Sequence, residues 1–304
     1  MRGLVVLNRG SGRHRTSAEE LRRLFPEHRV VACNPSDVAD TVRLALAEEV
    51  GFVGVAGGDG SIRGGAEHLV ETDVPLLPVP AGTRNHFAHQ LGISDLEAAV
   101  QAADGMIETV DVGEVNGRFF INNSAIGLYP EMVRRRERYQ RRGIPKTLAH
   151  LAAAWHQARH GHRFDVAVDG EPYRAWLVFV GNGEYGDDIF DIADRRSISQ
   201  QVLDVRVVRA DRFLARTRVS IALVLGRLHR SPLLVQRLCS QVELDLAVSD
   251  VEVGLDGEIE VLASPLRYRS RPRSLRVLVP AHAPHHGPLI LGHHHHHDDH
   301  DDLR

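Results

Sequence analysis

The chain has 304 residues, which is long for one hydrophobic core and sufficient for two domains. Its net charge of −3 resides entirely in the last twelve residues, which contain four Asp and one Arg. The remainder is neutral, which argues against a dedicated nucleic-acid-binding protein. Two isolated cysteines, Cys33 and Cys239, form neither a disulfide framework nor a paired zinc motif, and indicate a reduced, cytoplasmic setting.

No apolar stretch approaches the roughly 20 residues that a membrane-spanning helix needs. The N-terminal apolar run from Leu4 to Leu7 is also too short for a signal peptide. We therefore expect a cytoplasmic protein that is not transmembrane. If its substrate is a lipid, the protein must meet it peripherally, at a membrane surface. The sequence does not indicate an oligomeric state, and it is compatible with a homodimer.

Strand-like and helix-like patterns alternate through residues 1–112, with short connections between them. The predicted strands cover 3–7, 29–32, 51–56 and 75–79, and the predicted helices cover 17–25, 36–50, 62–70 and a stretch from about residue 85. Ser17 with Glu20 three residues later is a capping-box pattern, which favours the first helix. Repeated β-loop-α units predict a parallel, doubly wound, Rossmann-like sheet.

Residues 113–280 read mostly as strands, which predicts a second, antiparallel β-rich domain whose last strand could return to the first domain. The predicted strands cover 118–122, 163–168, 173–180, 202–208, 241–247, 251–255, 259–262 and 275–279, with helices over 131–160 and 211–228. Asp169-Gly170 between two apolar runs predicts a hairpin. The His- and Asp-rich tail, residues 281–304, is expected to be disordered.

A glycine loop, Gly57-Gly58-Asp59-Gly60-Ser61, follows the third predicted strand and precedes a helix. Glycines let backbone N–H groups approach phosphate oxygens closely, and a helix N-terminus adds partial positive charge. Asp59 is the only carboxylate in this loop, and a nucleotide-bound Mg²⁺ needs one. The same pattern also fits an ordinary strand-to-helix turn.

Two further segments could face the glycine loop. Gly82-Thr83-Arg84-Asn85 follows the next strand, and adjacent loops at the carboxyl ends of parallel strands face one crevice. Thr83 and Asn85 suit phosphate or ribose, although both residues are also good helix caps. Far downstream, Asp256-Gly257-Glu258 between two strands is most simply a tight turn. A carboxylate there could also take a proton from an attacking hydroxyl group.

In their order and spacing, these three motifs resemble the diacylglycerol kinase catalytic-domain family, which includes bacterial lipid kinases and is related to sphingosine kinases. Gly57–Ser61 is similar to the Gly-Gly-Asp-Gly-Thr loop of that family, and Gly82–Ala88 to its Gly-Thr-x-Asn-Asp-Phe-Ala segment. Further landmarks match at Asn8–Gly12, Phe120–Gly127, Val180–Gly183 and Asp256–Glu258. The resemblance covers about residues 3–280.

The resemblance implies an α/β plus β architecture, with a nucleotide cleft between a doubly wound N-terminal domain and an antiparallel β-sandwich. It implies that ATP and Mg²⁺ phosphorylate a lipid hydroxyl, in a diacylglycerol-like reaction of phospholipid metabolism. Asp59 would organise phosphate and metal, and Glu258 would be the general base, helped by Asp256. The implied nucleotide-binding residues are Gly57, Gly58, Asp59, Gly60, Ser61, Ile62, Arg63, Gly82, Thr83 and Asn85.

Several positions depart from the family pattern. His86 replaces the Asp that is usual in bacterial members, and Arg63 replaces a common Asn. Gln200 stands where relatives have an Asp of a structural Mg²⁺ site, and Asp187, Asp188 and Asp191 could rebuild a cation site nearby. These departures keep open a non-catalytic nucleotide- or lipid-binding relative. The glycine loop also occurs in NAD kinases, which form a second alternative.

A basic run, Arg134–Arg142, contains six Arg and one Glu. Most such runs are solvated helix faces. Beside a lipid substrate, however, a basic helix would attract anionic headgroups by about 1 kcal/mol per residue. The run therefore adds weight to contact with a membrane surface.

Overall fold

The computed structural model describes residues 2–10, 16–127, 163–186, 195–211 and 231–281. Several predicted features lie outside these ranges: the two long helices over 131–160 and 211–228, the basic run, Asp187, Asp188, Asp191, and the tail beyond residue 281. Among the described residues, no helix is both long and apolar enough to cross a membrane.

The first domain is an α/β unit with a parallel sheet, as predicted. Its strands are β1 (Leu4–Asn8), β2 (Arg29–Cys33), β3 (Val53–Gly57) and β4 (Leu76–Pro80), and its helices are α1 (Ala18–Leu24), α2 (Val38–Ala47), α3 (Asp59–Ala66), α4 (His86–Gln90) and α5 (Leu96–Ala103). The strands pair in parallel in the order β2-β1-β3-β4. Helix residues such as Leu21, Val42 and Ile62 are fully buried in the core beside the sheet.

Helix boundaries follow local hydrogen bonding. The capping box of α1 is confirmed, because the Ser17 side chain accepts from the backbone of Glu20 and the Glu20 carboxylate accepts in return. Helix α3 begins at Asp59 rather than at the predicted residue 62. Gly58 is its extended N-cap, and the N–H of Ile62 donates to the Gly58 carbonyl at 3.0 Å. Half of the glycine loop is therefore the first turn of a helix.

The second domain is antiparallel, as predicted. Its strands are β5 (Met106–Val115), β6 (Arg118–Phe120), β7 (Asn123–Gly127), β8 (Phe164–Val168), β9 (Glu171–Asn182), β10 (Leu203–Arg209), β11 (Leu234–Cys239), β12 (Gln241–Leu246), β13 (Asp250–Leu255), β14 (Glu258–Ala263) and β15 (Leu266–Val279). Their order is β14-β13-β7-β9-β8-β12-β15, with β10 joining β9 to β11. The predicted hairpin at Asp169-Gly170 is confirmed, and Asp256-Gly257 turns β13 into β14 with positive φ at both residues.

Two long strands connect the domains. Strand β15 pairs with β12 near its start and then runs parallel to β4, where Val277 faces Leu76. Strand β5 lies antiparallel to β15 on both sides of an irregularity at residues 272–274, and the predicted boundary at residue 112 falls inside β5. The buried carboxylate of Asp111 accepts the N–H groups of Arg273 (2.8 Å) and Gln201 (2.6 Å) at this junction. The β5–β15 ribbon thus sets the two domains against each other.

Candidate active site

Three loops at the carboxyl ends of β1, β3 and β4 are in direct contact. A Cβ atom added to Gly82 would overlap the backbone of Gly58 and lie 2.7 Å from its nitrogen, so the two loops touch where neither has a side chain. At the end of β1, Asn8 Nδ2 donates to Ser61 Oγ at 2.7 Å, while Asn8 Oδ1 accepts the N–H of Gly10 at 2.8 Å. The first turn of α3 is therefore fixed from both neighbouring strands.

Asp59 joins the glycine loop to the next predicted motif. Its two carboxylate oxygens accept the backbone N–H groups of His86 (3.2 Å) and Phe87 (3.0 Å), which open helix α4. A carboxylate at a helix N-terminus is favoured by the helix dipole. Asp59 thus holds the two loops together, and each of its oxygens has remaining acceptor capacity for a cation or its water ligands.

The other predicted nucleotide-binding residues differ in how far their side chains and backbone N–H groups are available to a nucleotide. Asn85, in a left-handed conformation, closes its side chain on Gly82, with hydrogen bonds of 3.0 and 3.1 Å. Thr83 is exposed in this loop, whereas Ile62 is fully buried and its N–H already donates to Gly58. A phosphate would therefore be bound mainly by backbone N–H groups in the first turn of α3, which lack intrahelical acceptors.

The turn between β13 and β14 brings Glu258 to the glycine loop. A Cβ atom added to Gly60 would overlap the Glu258 carboxylate, with the carboxyl carbon only 3.0 Å away. The Glu258 side chain is 57% exposed, so this contact between the two domains is open to solvent. The second Glu258 oxygen, Oε2, is 3.4 Å from a guanidinium nitrogen of Arg63.

Arg63 faces the second domain. Its guanidinium donates to Glu260 at 2.5 Å, to Glu258 at 3.4 Å and to the carbonyl of Phe119 at 3.3 Å. Burial opposes the charged form, but Asp256, Glu260 and Glu258 outweigh it and raise the pKa of Arg63. All of these hydrogen-bond partners belong to the second domain, whereas the sequence predicted that Arg63 would contact the nucleotide.

Asp256 is half-buried and held by backbone donors. Its carboxylate accepts the N–H groups of Ile121 (2.8 Å), Asn122 (2.7 Å) and Asn123 (3.0 Å). Burial raises the pKa of Asp256 to about 6, against these hydrogen bonds and the nearby charge of Arg63. Asp256 therefore fixes the β13–β14 turn against the connection between β6 and β7. Because Glu258 lies only two residues after Asp256, this also helps to position the Glu258 side chain.

Sequence reasoning missed three contributors to this region. Asn8 was noted only as part of a resemblance. Glu260 shares a strand face with Glu258, because alternate residues of a strand point the same way, so its involvement could have been foreseen. Arg195 carried no signal: it is buried and donates to the carbonyls of Ile121 (2.7 Å) and Asn182 (2.9 Å) and to the Gln90 side chain of α4.

No cluster of three or more metal-ligating side chains occurs in the part of the chain that the structure describes. Mg²⁺ usually keeps several waters and is bound through substrate phosphates and one or two carboxylates, and Asp59 is the carboxylate within the glycine loop. Gln200, at the position of the expected structural Mg²⁺ ligand, instead accepts the N–H of Glu184 at 2.7 Å.

Close to Gln200, a guanidinium lies among groups that could otherwise bind a cation. Arg206 donates to Asp204 at 2.6 Å and to the carbonyls of Tyr185 (2.6 Å) and Gly186 (2.8 Å). Gln236 also donates to the Asp204 carboxylate, at 3.1 Å. Both charged side chains are buried, and each is satisfied within the second domain.

Comparison with known proteins matches both parts of the chain. Residues 2–115 match a family described as the diacylglycerol kinase catalytic domain, and residues 132–279 match a family described as the YegS C-terminal NAD kinase beta sandwich-like domain. The "Probable lipid kinase YegS-like" protein of Pseudomonas savastanoi pv. phaseolicola is 27% identical over 256 residues, covering 82% of each chain.

Two further relatives come from Bacillus. A diacylglycerol kinase of Bacillus subtilis is 37% identical over 101 residues, which is 32% of this chain and 33% of that protein. A crystal structure of a diacylglycerol kinase from Bacillus anthracis superposes with a TM-score of 0.63 at 20% identity, covering 91% of this chain and 96% of that one. This last similarity establishes the shared fold.

Proposed function

Because the chain belongs to the diacylglycerol kinase catalytic-domain family, a family of lipid kinases, we propose that it transfers the γ-phosphate of ATP to a lipid hydroxyl of the diacylglycerol type. The observation that carries this proposal is the contact between Glu258 and Gly60 across the domain cleft. It joins a phosphate-binding helix N-terminus to a carboxylate from the other domain. Phosphoryl transfer depends on such positioning of donor and acceptor.

The glycine loop would hold the phosphates. Backbone N–H groups at the start of α3 favour anions, and the absence of a side chain at Gly58 and Gly82 lets the two loops approach closely beside that helix N-terminus. Asp59 would act indirectly, by fixing both loops and by accepting hydrogen bonds from metal-bound water. When bound, ATP with Mg²⁺ supplies the transferable phosphoryl group and the ion offsets its charge.

Glu258 would accept the proton of the attacking hydroxyl group. Its side chain is exposed to the cleft and one oxygen lies against the phosphate-binding loop, so an incoming alcohol could reach both. Asp256 would support this role without touching the reacting atoms, because its oxygens are taken up by three backbone donors.

The protein would bind its lipid acceptor at a membrane surface. The lipid class is suggested by the names of the relatives, which are lipid and diacylglycerol kinases. A diacylglycerol keeps its acyl chains in the bilayer, so the protein would bind peripherally and take the hydroxyl group from the interface. We place this event on the cytoplasmic side, where ATP is available.

The proposed function is tested by measuring the transfer of labelled phosphate from ATP to a lipid. The purified chain is incubated with γ-labelled ATP, Mg²⁺ and vesicles that contain diacylglycerol, monoacylglycerol, a sphingoid base or phosphatidylglycerol, and separately with NAD. We expect label in the lipid phase, highest with a diacylglycerol-like acceptor. Label in NADP would instead identify an NAD kinase. Nucleotide binding without transfer to any acceptor would identify a non-catalytic relative.

A further inference from the structure

We propose that Arg63 is a positioning residue that orients the Glu258 carboxylate over the glycine loop, and that Glu260 and Arg118 fix Arg63 in turn. The inference rests on the proposed function, since it assigns a role to Arg63 in placing the general base. It differs from the nucleotide contact that the sequence predicts for Arg63, because the guanidinium is directed to the second domain.

Arg63 is well placed to act across the cleft. It lies on α3, three positions after Gly60, so both residues share one face of the helix. Only 5% of the Arg63 side chain is exposed, yet its guanidinium reaches β14 of the other domain. A buried cation requires compensation, and Glu260, Glu258 and the carbonyl of Phe119 provide it.

The two oxygens of Glu258 have different surroundings. Oε1 lies against Gly60, where any Cβ atom would collide with it, and Oε2 lies 3.4 Å from the Arg63 guanidinium. Among the described residues, Arg63 is the one cation within ion-pair distance of Glu258. A half-exposed glutamate without such a partner would sample several rotamers, and only some of them would face the loop.

Glu260 prevents Arg63 from pairing with Glu258 too tightly. The guanidinium is 2.5 Å from Glu260 but 3.4 Å from Glu258, so Glu260 is the stronger anchor. Arg118 contacts Glu260 at 2.9 Å and Glu67 at 3.2 Å, and Glu67 is the C-cap of α3, four positions after Arg63. This chain of alternating charges ends at Glu258, which keeps one oxygen for the reaction.

A purely structural ion pair between the domains would be the simpler reading. Its loss would weaken domain contact, and the effect on turnover would not depend on whether residue 258 can accept a proton. A positioning role predicts the opposite: substitution of Arg63 should matter only while Glu258 is present. A double-mutant cycle separates the two cases.

The test compares wild type, Arg63→Gln, Glu258→Gln and the double variant, with kcat and KM for ATP measured on vesicles of the preferred lipid. Arg63→Gln is expected to lower kcat by about 10- to 100-fold, as a misplaced catalytic group does, with KM for ATP changed by less than about 3-fold. In the Glu258→Gln background the same change should alter kcat by less than about 2-fold. Arg43→Gln removes an exposed arginine paired with Asp40 on α2 and serves as the matched control.

Rescue adds a second criterion. Arg63→Lys keeps a cation at this site but loses the planar fork that reaches Glu260, Glu258 and Phe119 together. It should therefore recover part of the kcat that Arg63→Gln loses, whereas a folded Arg63→Lys as slow as Arg63→Gln contradicts the proposal. If Arg63→Gln does not fold, Glu260→Gln replaces it in the cycle. Loss of this anchor should lower kcat by about 3- to 10-fold only when Glu258 is present.

An equal fall of kcat in both backgrounds, or an effect confined to KM for ATP, overturns the role of Arg63 and leaves the proposed function intact. Unchanged kcat in Glu258→Gln overturns the assigned base itself. A crystal structure of Arg63→Gln gives a readout that needs no activity. We expect the Glu258 carboxylate to have left Gly60, and an unmoved carboxylate would contradict the inference.

Discussion

Two arginine–carboxylate clusters in this chain have similar composition and opposite surroundings. Arg206 and Asp204 have side chains 1% and 0% exposed, and every contact described for them lies within the second domain. Arg63 is equally buried, but its partner Glu258 is 57% exposed and touches a loop of the other domain. A cluster closed on itself can only hold the fold, whereas one with an open carboxylate has acceptor capacity left for a substrate.

The largest expected effect on turnover comes from the cluster of Arg63 and Glu258, which has an exposed carboxylate and is called the open cluster below. Glu258→Gln should lower kcat for lipid phosphorylation by about 10²- to 10⁴-fold, because a general base contributes that much. Its thermal unfolding should stay close to that of wild type, since the side chain is mostly exposed. Glu19→Gln, on the exposed face of α1, is the control and should keep full activity. Normal turnover in Glu258→Gln would contradict a catalytic role for the open cluster.

Substitution in the closed cluster of Arg206 and Asp204 should lower stability and leave turnover almost unchanged. Arg206→Met leaves Asp204 buried without its cation and should lower the free energy of unfolding by about 3–5 kcal/mol. At a temperature where the variant is folded, kcat should stay within about 2-fold of wild type, because Arg206 lies outside the cleft.

The matched variant replaces both charges. Asp204→Leu combined with Arg206→Met should recover most of the lost stability, because removal of a complete buried ion pair is often close to neutral. Denaturant titration of the three proteins measures both effects. Wild-type stability of Arg206→Met alone would show that the pair is dispensable.

Asp256 lies between the two clusters in its surroundings, since it is half-buried and adjoins Glu258. Its pKa is raised by burial from 3.8 to about 6, so its contribution to stability is full below pH 4 and is lost as pH rises through 6. The difference in unfolding free energy between wild type and Asp256→Asn should therefore fall by about 2 kcal/mol between pH 4 and pH 7. Denaturation at several pH values measures it, and a difference that grows with pH would contradict the direction.

The smallest effect concerns two glycines of α3. In Gly60→Ala the new Cβ atom would displace the Glu258 carboxylate, so kcat should fall by about 10-fold while stability changes by less than about 1 kcal/mol. Gly64→Ala, in the same helix, meets no atom within 4 Å. It should gain about 0.5–1 kcal/mol of stability and keep its activity. Equal loss of kcat in both variants would argue that the helix, rather than Glu258, is affected.

Periodic patterns predicted most of the fold. The α/β units, the antiparallel second domain and the Asp169-Gly170 hairpin all follow from local sequence. Strands β5, β7 and β11 and helix α5 were not predicted, and β15 proved much longer than the predicted 275–279. Its earlier half alternates arginines with small or polar residues, so its strand character depends on pairing with β5 and β12, which local sequence does not encode.

The site was predictable in its motifs but not in its contacts. The sequence indicated the glycine loop and Glu258, yet their contact depends on the β5–β15 ribbon, which joins segments about 170 residues apart. The family resemblance implied that Arg63 contacts the nucleotide, and the structure adds a hydrogen bond from its guanidinium to Glu260 of β14. Asp59 and Asp256 were assigned to chemistry, and the structure gives their carboxylates backbone N–H partners.

The central claim is that the start of α3 and Glu258 form one phosphoryl-transfer site. A crystal of the protein soaked with ADP and Mg²⁺ tests it most directly. We expect terminal phosphate oxygens at the backbone N–H groups of residues 58–61, with the Glu258 carboxylate facing the same phosphate. A nucleotide bound elsewhere, or bound at the loop with Glu258 turned away from it, would contradict the account.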